Sequence, residues 1–114
     1  MSTETITEAE FERVADDTLR ALERALGEVD TLEVDLQMGV LNIEFADGAK
    51  YVINSHRAAK QIWMAAERTA WHFDPRDQGS VWRTSKDGAE LWSTVEAVLS
   101  RKLGSPIQLT RSGT

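Results

Sequence analysis

The chain has no cysteine, and that one absence removes disulfides, thiolate metal sites, cysteine-held clusters and thiol nucleophiles while leaving the compartment open. A metal-sulfur cluster could be held only by a partner. Histidine is almost as scarce, with His56 and His72 alone. Neither has a second histidine near it in sequence, and no serine or aspartate is arranged with them, so a nucleophilic triad and a zinc site both lack their parts. No apolar run approaches the length of a membrane helix, so a membrane role is not expected. Positive charge is in deficit, 13 Lys and Arg against 19 Asp and Glu for a net charge of −6. Nucleic acid is disfavoured as a partner, because counterion release requires clustered cations. Basic protein surfaces and cations are favoured instead. The start, MSTETITEAEFERV, has neither a basic segment ahead of an apolar run nor the acid-poor, arginine-rich character of a transit peptide, so a cytoplasmic protein is expected.

What is present reads as one domain over 1–114: the 114 residues are 41% apolar and 28% charged, enough for a single modest core. The stretch Gly39 to Trp63 organises it. Two β-rich runs flank Ala46-Asp47-Gly48. A two-residue loop there would mix apolar and charged side chains on both faces. A three-residue loop closed by Gly48 in the left-handed region pairs Phe45 with Ala49, Ile43 with Tyr51 and Leu41 with Ile53, giving one apolar face. The opposite face, with Val40, Asn42, Glu44, Lys50, Val52 and Asn54, is the candidate working face.

Around the hairpin the periodicities are regular. Thr7 and Glu10 form a capping box with Ile6 as a staple to Phe11. Phe11, Val14, Ala15, Thr18, Leu22, Ala25 and Leu26 then make a helical stripe ended by Gly27, so the first helix spans about Glu8 to Leu26. Leu32, Val34, Leu36 and Met38 alternate with Glu33, Asp35 and Gln37 as a half-buried strand. Ile62, Met64 and Ala66 alternate with Gln61, Trp63 and Ala65, which turns Trp63 outward. A strand at about Ala70 to Asp74 sets His72 opposite Trp71 and Phe73, a turn-rich loop follows at Asp74 to Gly79, and Val81 to Thr84 is a short strand. Trp71 and Trp92 read as core; Trp82 fits either side. Asp87 and Glu90 read as an acidic capping box opening a second helix with Leu91, Trp92, Val95, Val98, Leu99 and Leu103, stopped by Gly104 and Pro106. Ile107 and Leu109 can pack back. Helix, six strands, helix argues for α+β: a two-layer sandwich with two helices on one face of a six-stranded antiparallel sheet.

Two features could carry chemistry. Glu12, Asp16 and Glu23 lie along one edge of the first helix, Glu28 and Asp30 sit in the next turn, and Glu33 and Asp35 project from the first strand. If that strand is an edge beside the helix, these merge into an acidic ridge. Exposed hard oxygens of this kind suit divalent or trivalent cations, iron included, weakly. Solvation of a charged face is the plain alternative, with Asp16 and Arg20 paired at i, i+4. The second feature is Trp63, outward beside Asn54 and Gln61, with the size and amphipathic character of an interface centre.

Gly39-Val40-Leu41, Tyr51-Val52-Ile53-Asn54, Gln61-Ile62-Trp63-Met64-Ala65, His72-Phe73-Asp74 and Asp87-Gly88 ahead of Leu91-Trp92, together with the acidic first helix, resemble the bacterial frataxins from Phe11 to Leu103. The resemblance implies the α-β sandwich. It also implies weak binding of iron, Fe2+ or Fe3+, by the ridge, at Glu23, Glu28, Asp30, Glu33 and Asp35. It further implies a non-enzymatic regulator and adaptor of iron-sulfur cluster assembly that binds the cysteine desulfurase and its scaffold protein through Asn54, Gln61 and Trp63. A monomer is expected, with iron-dependent self-association left open. An iron-oxidising or iron-storing oligomer, or an acidic interaction module with no metal role, are the alternatives. The chain departs from the family at Ser55-His56-Arg57-Ala58, and it has Arg24 and Gly27 where relatives pair acids late in the first helix. Its ridge is thinner, so weaker iron binding is expected.

Overall fold

Thr7 opens α1 (Glu8–Leu26) through the reciprocal box: the Glu10 N–H donates to Thr7 Oγ1 at 3.1 Å and the Thr7 N–H to Glu10 Oε1 at 3.4 Å. The computed structural model describes residues 6–111, so the first five residues of the segment read for a targeting signal lie outside the described residues. The buried stripe of α1 includes Leu19, which the expected stripe passes over, while Thr18 is only half-buried. Thr18 serves instead as a polar anchor, its Oγ1 accepting the indole N–H of Trp82 at 3.1 Å. Trp82, 1% exposed, is thereby a core residue, edge-on to Phe11 with ring centroids 6.0 Å apart.

Six strands follow: β1 (Glu33–Gln37), β2 (Val40–Glu44), β3 (Lys50–His56), β4 (Gln61–Ala66), β5 (Thr69–Arg76) and β6 (Val81–Thr84), ahead of α2 (Leu91–Leu103). They form one antiparallel sheet in sequence order, with β1 and β6 at its edges. The β2–β3 hairpin has the three-residue loop: Leu41 opposes Ile53, Ile43 opposes Tyr51, the Phe45 N–H donates to the Ala49 carbonyl at 2.9 Å, and Gly48 has φ +91°. Met38 departs from the expected alternation. β1 closes at Gln37 opposite Val40, so Met38 and Gly39 form a two-residue loop with φ of 52° and 78°, the left-handed pair such a loop requires. Met38 is 99% exposed.

Every strand contributes its alternate residues to a core with Leu41, Ile43, Ile53, Ile62, Met64, Phe73 and Trp82 essentially sealed from solvent. α1 packs against β1 and β3, and α2 against β6, on that one face. β5 is longer than expected and takes in Pro75 and Arg76. Only 77–80 leave the sheet, with Asp77, Gln78 and Gly79 at positive φ (49°, 57°, 92°), and Gly79 passes so close to α1 that a Cβ there would meet the Val14 side chain at 2.6 Å.

The second helix starts later than the acidic pair implies. Glu90 alone caps it, accepting from the Trp92 and Ser93 N–H groups at 3.0 Å each. Asp87 instead accepts from the Thr84 hydroxyl and the Ala89 N–H, tying the turn after β6. Burial by itself would raise the Glu90 carboxyl; the two backbone donors, the Ser93 hydroxyl and Arg111 outweigh it and hold the group below its ordinary range. Gly104 ends α2 at φ 74°. The tail then folds back, with Leu109 buried, its N–H donating to Glu96 Oε2 at 2.8 Å, and the Ile107 N–H to Ser100 Oγ at 2.9 Å.

Candidate functional site: a tryptophan face beside an acidic edge

Because both helices lie on one side, the other side of the sheet is left to its own side chains. Register fixes which ones. Asn54 opposes Trp63, Trp63 opposes His72, and His56 opposes Gln61, so these residues share the outer face. Trp63 is half-buried there although no helix covers it. Its indole lies between the two imidazoles: His56 stacks on one side at 3.9 Å between centroids and 14° between planes, His72 on the other at 4.3 Å and 20°. The indole N–H donates to Gln61 Oε1 at 2.7 Å, and Gln61 Nε2 donates to Asp74 Oδ1 at 2.8 Å. His56 is itself positioned, its Nδ1 accepting the Ala59 N–H at 3.3 Å.

The result is a rigid raised ridge of three parallel rings, with the polar atoms of the Trp63-Gln61 pair engaged along the sheet rather than toward solvent. Offset stacking of this kind contributes about 0.5–1.5 kcal/mol per pair beyond burial, and a locked aromatic loses little side-chain entropy when a partner covers it. Asn54 lies beside the stack with its amide donating to the Ser55 carbonyl at 3.1 Å. The three residues selected from sequence are thus brought together, and the two histidines, to which the sequence assigned no role, stack on Trp63 from either side. The alternation of His72 with Trp71 and Phe73 was the available signal for one of them; His56 needs the β3–β4 register.

The acidic set sits at the β1 side. Glu33 and Asp35 point to the outer face, opposite Glu44 and Asn42; Glu28 and Asp30 are exposed in the preceding turn, and Glu23 is half-buried on α1. Glu44, placed by the sequence on the working face and not in the acidic ridge, faces Glu33 across the strands and extends the negative edge. The acids nearer the start of α1 are already paired: Arg57 reaches Glu12 at 2.7 Å and Glu8 at 3.6 Å, and Arg20 pairs with Asp16 at 2.8 Å. Among the described residues, no three carboxylates or imidazoles converge on a point from which one ion could be held. The donors are hard oxygens of the right chemistry for iron, spread along an edge, so an ion attracted there keeps much of its water.

The chain matches the family model for the frataxin-like domain over residues 4–105. It is 37% identical over 105 residues to the iron-sulfur cluster assembly protein CyaY of Dechloromonas aromatica, covering 90% of this chain and 97% of that one. It is 34% identical over 110 residues to the protein of the same name from a Janthinobacterium species, covering 91% and 96%. Among solved structures, frataxin from Psychromonas ingrahamii superimposes with a TM-score of 0.83 at 22% identity over 92% of this chain and 99% of that one, a likeness of fold. A trimeric yeast frataxin complexed with ferrous iron gives a TM-score of 0.62 at 25% identity over 92% and 94%. Two helices on one face of a six-stranded antiparallel sheet, a tryptophan fixed on the bare face and a family match along nearly the whole sequence have one meaning: the chain belongs to the frataxin-like family.

Proposed function

We propose that this protein is a non-enzymatic, iron-binding adaptor of iron-sulfur cluster assembly that acts in the cytoplasm on the complex of cysteine desulfurase and scaffold protein. The observation that carries the reading is the Trp63 stack: a large aromatic side chain held by His56, His72 and Gln61 on a face that, among the described residues, no other element covers. Such a group is the usual centre of an interface. The relatives' role in cluster assembly supports the choice of partner, and the absence of cysteine agrees with it, because the cluster and its sulfur must then reside on other chains.

Two surfaces divide the work. Trp63, with Asn54 and Gln61, anchors the scaffold-desulfurase complex. Glu23, Glu28, Asp30, Glu33 and Asp35 attract iron as cargo and steer the protein toward a basic partner surface, an effect that raises the association rate and falls with salt. The dispersed carboxylates favour this adaptor role over iron oxidation, which needs ligands gathered about the metal.

The test is the desulfurase rate, measured on the desulfurase-scaffold complex with and without this protein across a ferrous iron titration. An iron-dependent change in rate is expected, abolished by Trp63→Ala. Neutralising the five ridge acids together should remove the iron dependence and lower the association rate. A rate that ignores the protein at every iron concentration would refute the assignment.

A further inference from the structure

β5 is paired with β4 along Thr69 to Phe73 but with β6 only from Phe73 to Arg76. Its first half is therefore an open edge on a strand that is otherwise interior to the sheet. The hydrogen-bonding parity of this edge follows from two independent features. Ala66 and Thr69 close the two-residue β4–β5 loop, the position that exchanges both hydrogen bonds in such a hairpin. Odd-numbered residues of β5 therefore bond to β4. Pro75, which has no N–H, faces Trp82 of β6, consistent with a non-bonded pair there. Both features aim the N–H and C=O groups of Ala70 and His72 away from β4, toward the side where β6 has ended.

These groups do not face open water alone. A groove of about 250 Å³ runs between Thr69–His72 and the turn Thr84–Asp87. Its length along β5, four residues at about 3.3 Å each, suits a short extended segment. Basic residues stand at and next to its lining: Lys86 lines it, Arg68 directly precedes Thr69 in the chain, and Arg83 directly precedes Thr84, on the outer face opposite Asp74. None of the three is in an ion pair among the described residues, and Arg83 is engaged only with the Gly88 carbonyl at 2.9 Å. The one acid in the lining, Asp87, is committed to the Thr84 hydroxyl and the Ala89 N–H. Trp71 forms part of one wall, and Ala70, small and exposed, leaves room beside the backbone.

We propose that the free half of β5 is a strand-addition site for an extended acidic segment of a partner protein. Ala70 and His72 supply the ladder of backbone hydrogen bonds, the mode in which main chain gives affinity and alternate side chains give specificity. Lys86, Arg68 and Arg83 select carboxylates at those alternate positions. The site is separate from the Trp63 centre, although His72 belongs to both: its side chain stacks on Trp63 while its backbone faces the groove.

The experiment is an NMR titration of the isotope-labelled full chain with an acetylated, amidated hexapeptide of alternating Glu and Val. Amide shifts confined to Thr69–His72 and Ser85–Asp87 are expected, with slowed hydrogen exchange at Ala70 and His72 specifically. Lys86→Glu should weaken binding at least about fivefold, the order expected for a partly screened charge. Ala70→Pro should abolish it without lowering the melting temperature, since that N–H bonds to no strand of the sheet. If Ala70→Pro unfolds the protein, the parity is wrong and the proposal fails. The same hexapeptide N-methylated at every residue, which can donate from neither edge, gives an independent reading on the unaltered protein, and undiminished binding of it would also overturn the proposal. So would equal binding of a Lys-Val hexapeptide, shifts located elsewhere, or self-association of the free protein producing the same shifts, which would assign the edge to a second copy.

Discussion

Trp63→Ala tests whether the stack is a structural unit as well as the proposed interface. An exposed tryptophan on a sheet would leave stability nearly unchanged when removed, and the sequence alone gives that expectation, under about 1 kcal/mol. The geometry changes it. The substitution deletes two ring stacks, at 3.9 and 4.3 Å, each contributing roughly 0.5–1 kcal/mol on a half-exposed surface, and one hydrogen bond to Gln61 contributing about 0.5–1 kcal/mol net. The sum is about 1.5–3 kcal/mol. Urea unfolding followed by far-ultraviolet circular dichroism, with the slope unchanged, measures it. Trp63→Phe keeps the stacks and loses only the hydrogen bond, so it should fall below about 1 kcal/mol by the same bookkeeping. A Trp63→Ala loss under about half a kcal/mol would refute the claim that the imidazoles hold the indole. Binding to the desulfurase complex must then be measured well below the shifted midpoint, where the variant is folded, so that a lost anchor is not confused with lost structure.

Three further outcomes follow from particular contacts. Thr18→Val leaves the buried Trp82 indole N–H without its acceptor, and should cost about 1–3 kcal/mol in denaturant unfolding; Trp82→Phe in the Thr18→Val background should recover part of that. Gly79→Ala places a methyl 2.6 Å from Val14 at φ +92° and should destabilise by about 2 kcal/mol or more, with Val14→Ala relieving only part of the clash, because the Cβ it keeps lies 2.7 Å from that methyl, and none of the backbone strain. The folded Glu90 carboxyl lies below its ordinary value of 4.5, so its stabilising effect is complete above that pH and is lost as pH falls through the depressed folded value; Glu90→Gln should flatten the acid limb of the stability profile relative to the parent.

Much of this protein is set by local rules. A capping box, a 3.6-residue stripe and a terminating glycine define α1 from sequence, because each is satisfied by residues within a turn of one another. The β2–β3 register follows from one loop glycine and the demand that a single face be apolar, and alternation places Trp63 outward by the same logic. The acidic ridge is legible as a set of carboxylates. Its merging into one edge depends on β1 being the outermost strand next to α1, which no local pattern states. Contacts between distant segments were decided only by tertiary structure. Trp82 became core because Thr18, far away in the chain, offers its indole an acceptor. Asp87 yielded the helix cap to Glu90 because the Thr84 hydroxyl claimed it first. Met38 left its strand because pairing of Gln37 with Val40 made it half of a two-residue loop. His56 and His72 gained their role from β3 and β5 flanking β4, which sets two unremarkable imidazoles against the same indole. Periodicity reports which face a side chain occupies; only the order and register of the strands determine what stands beside it.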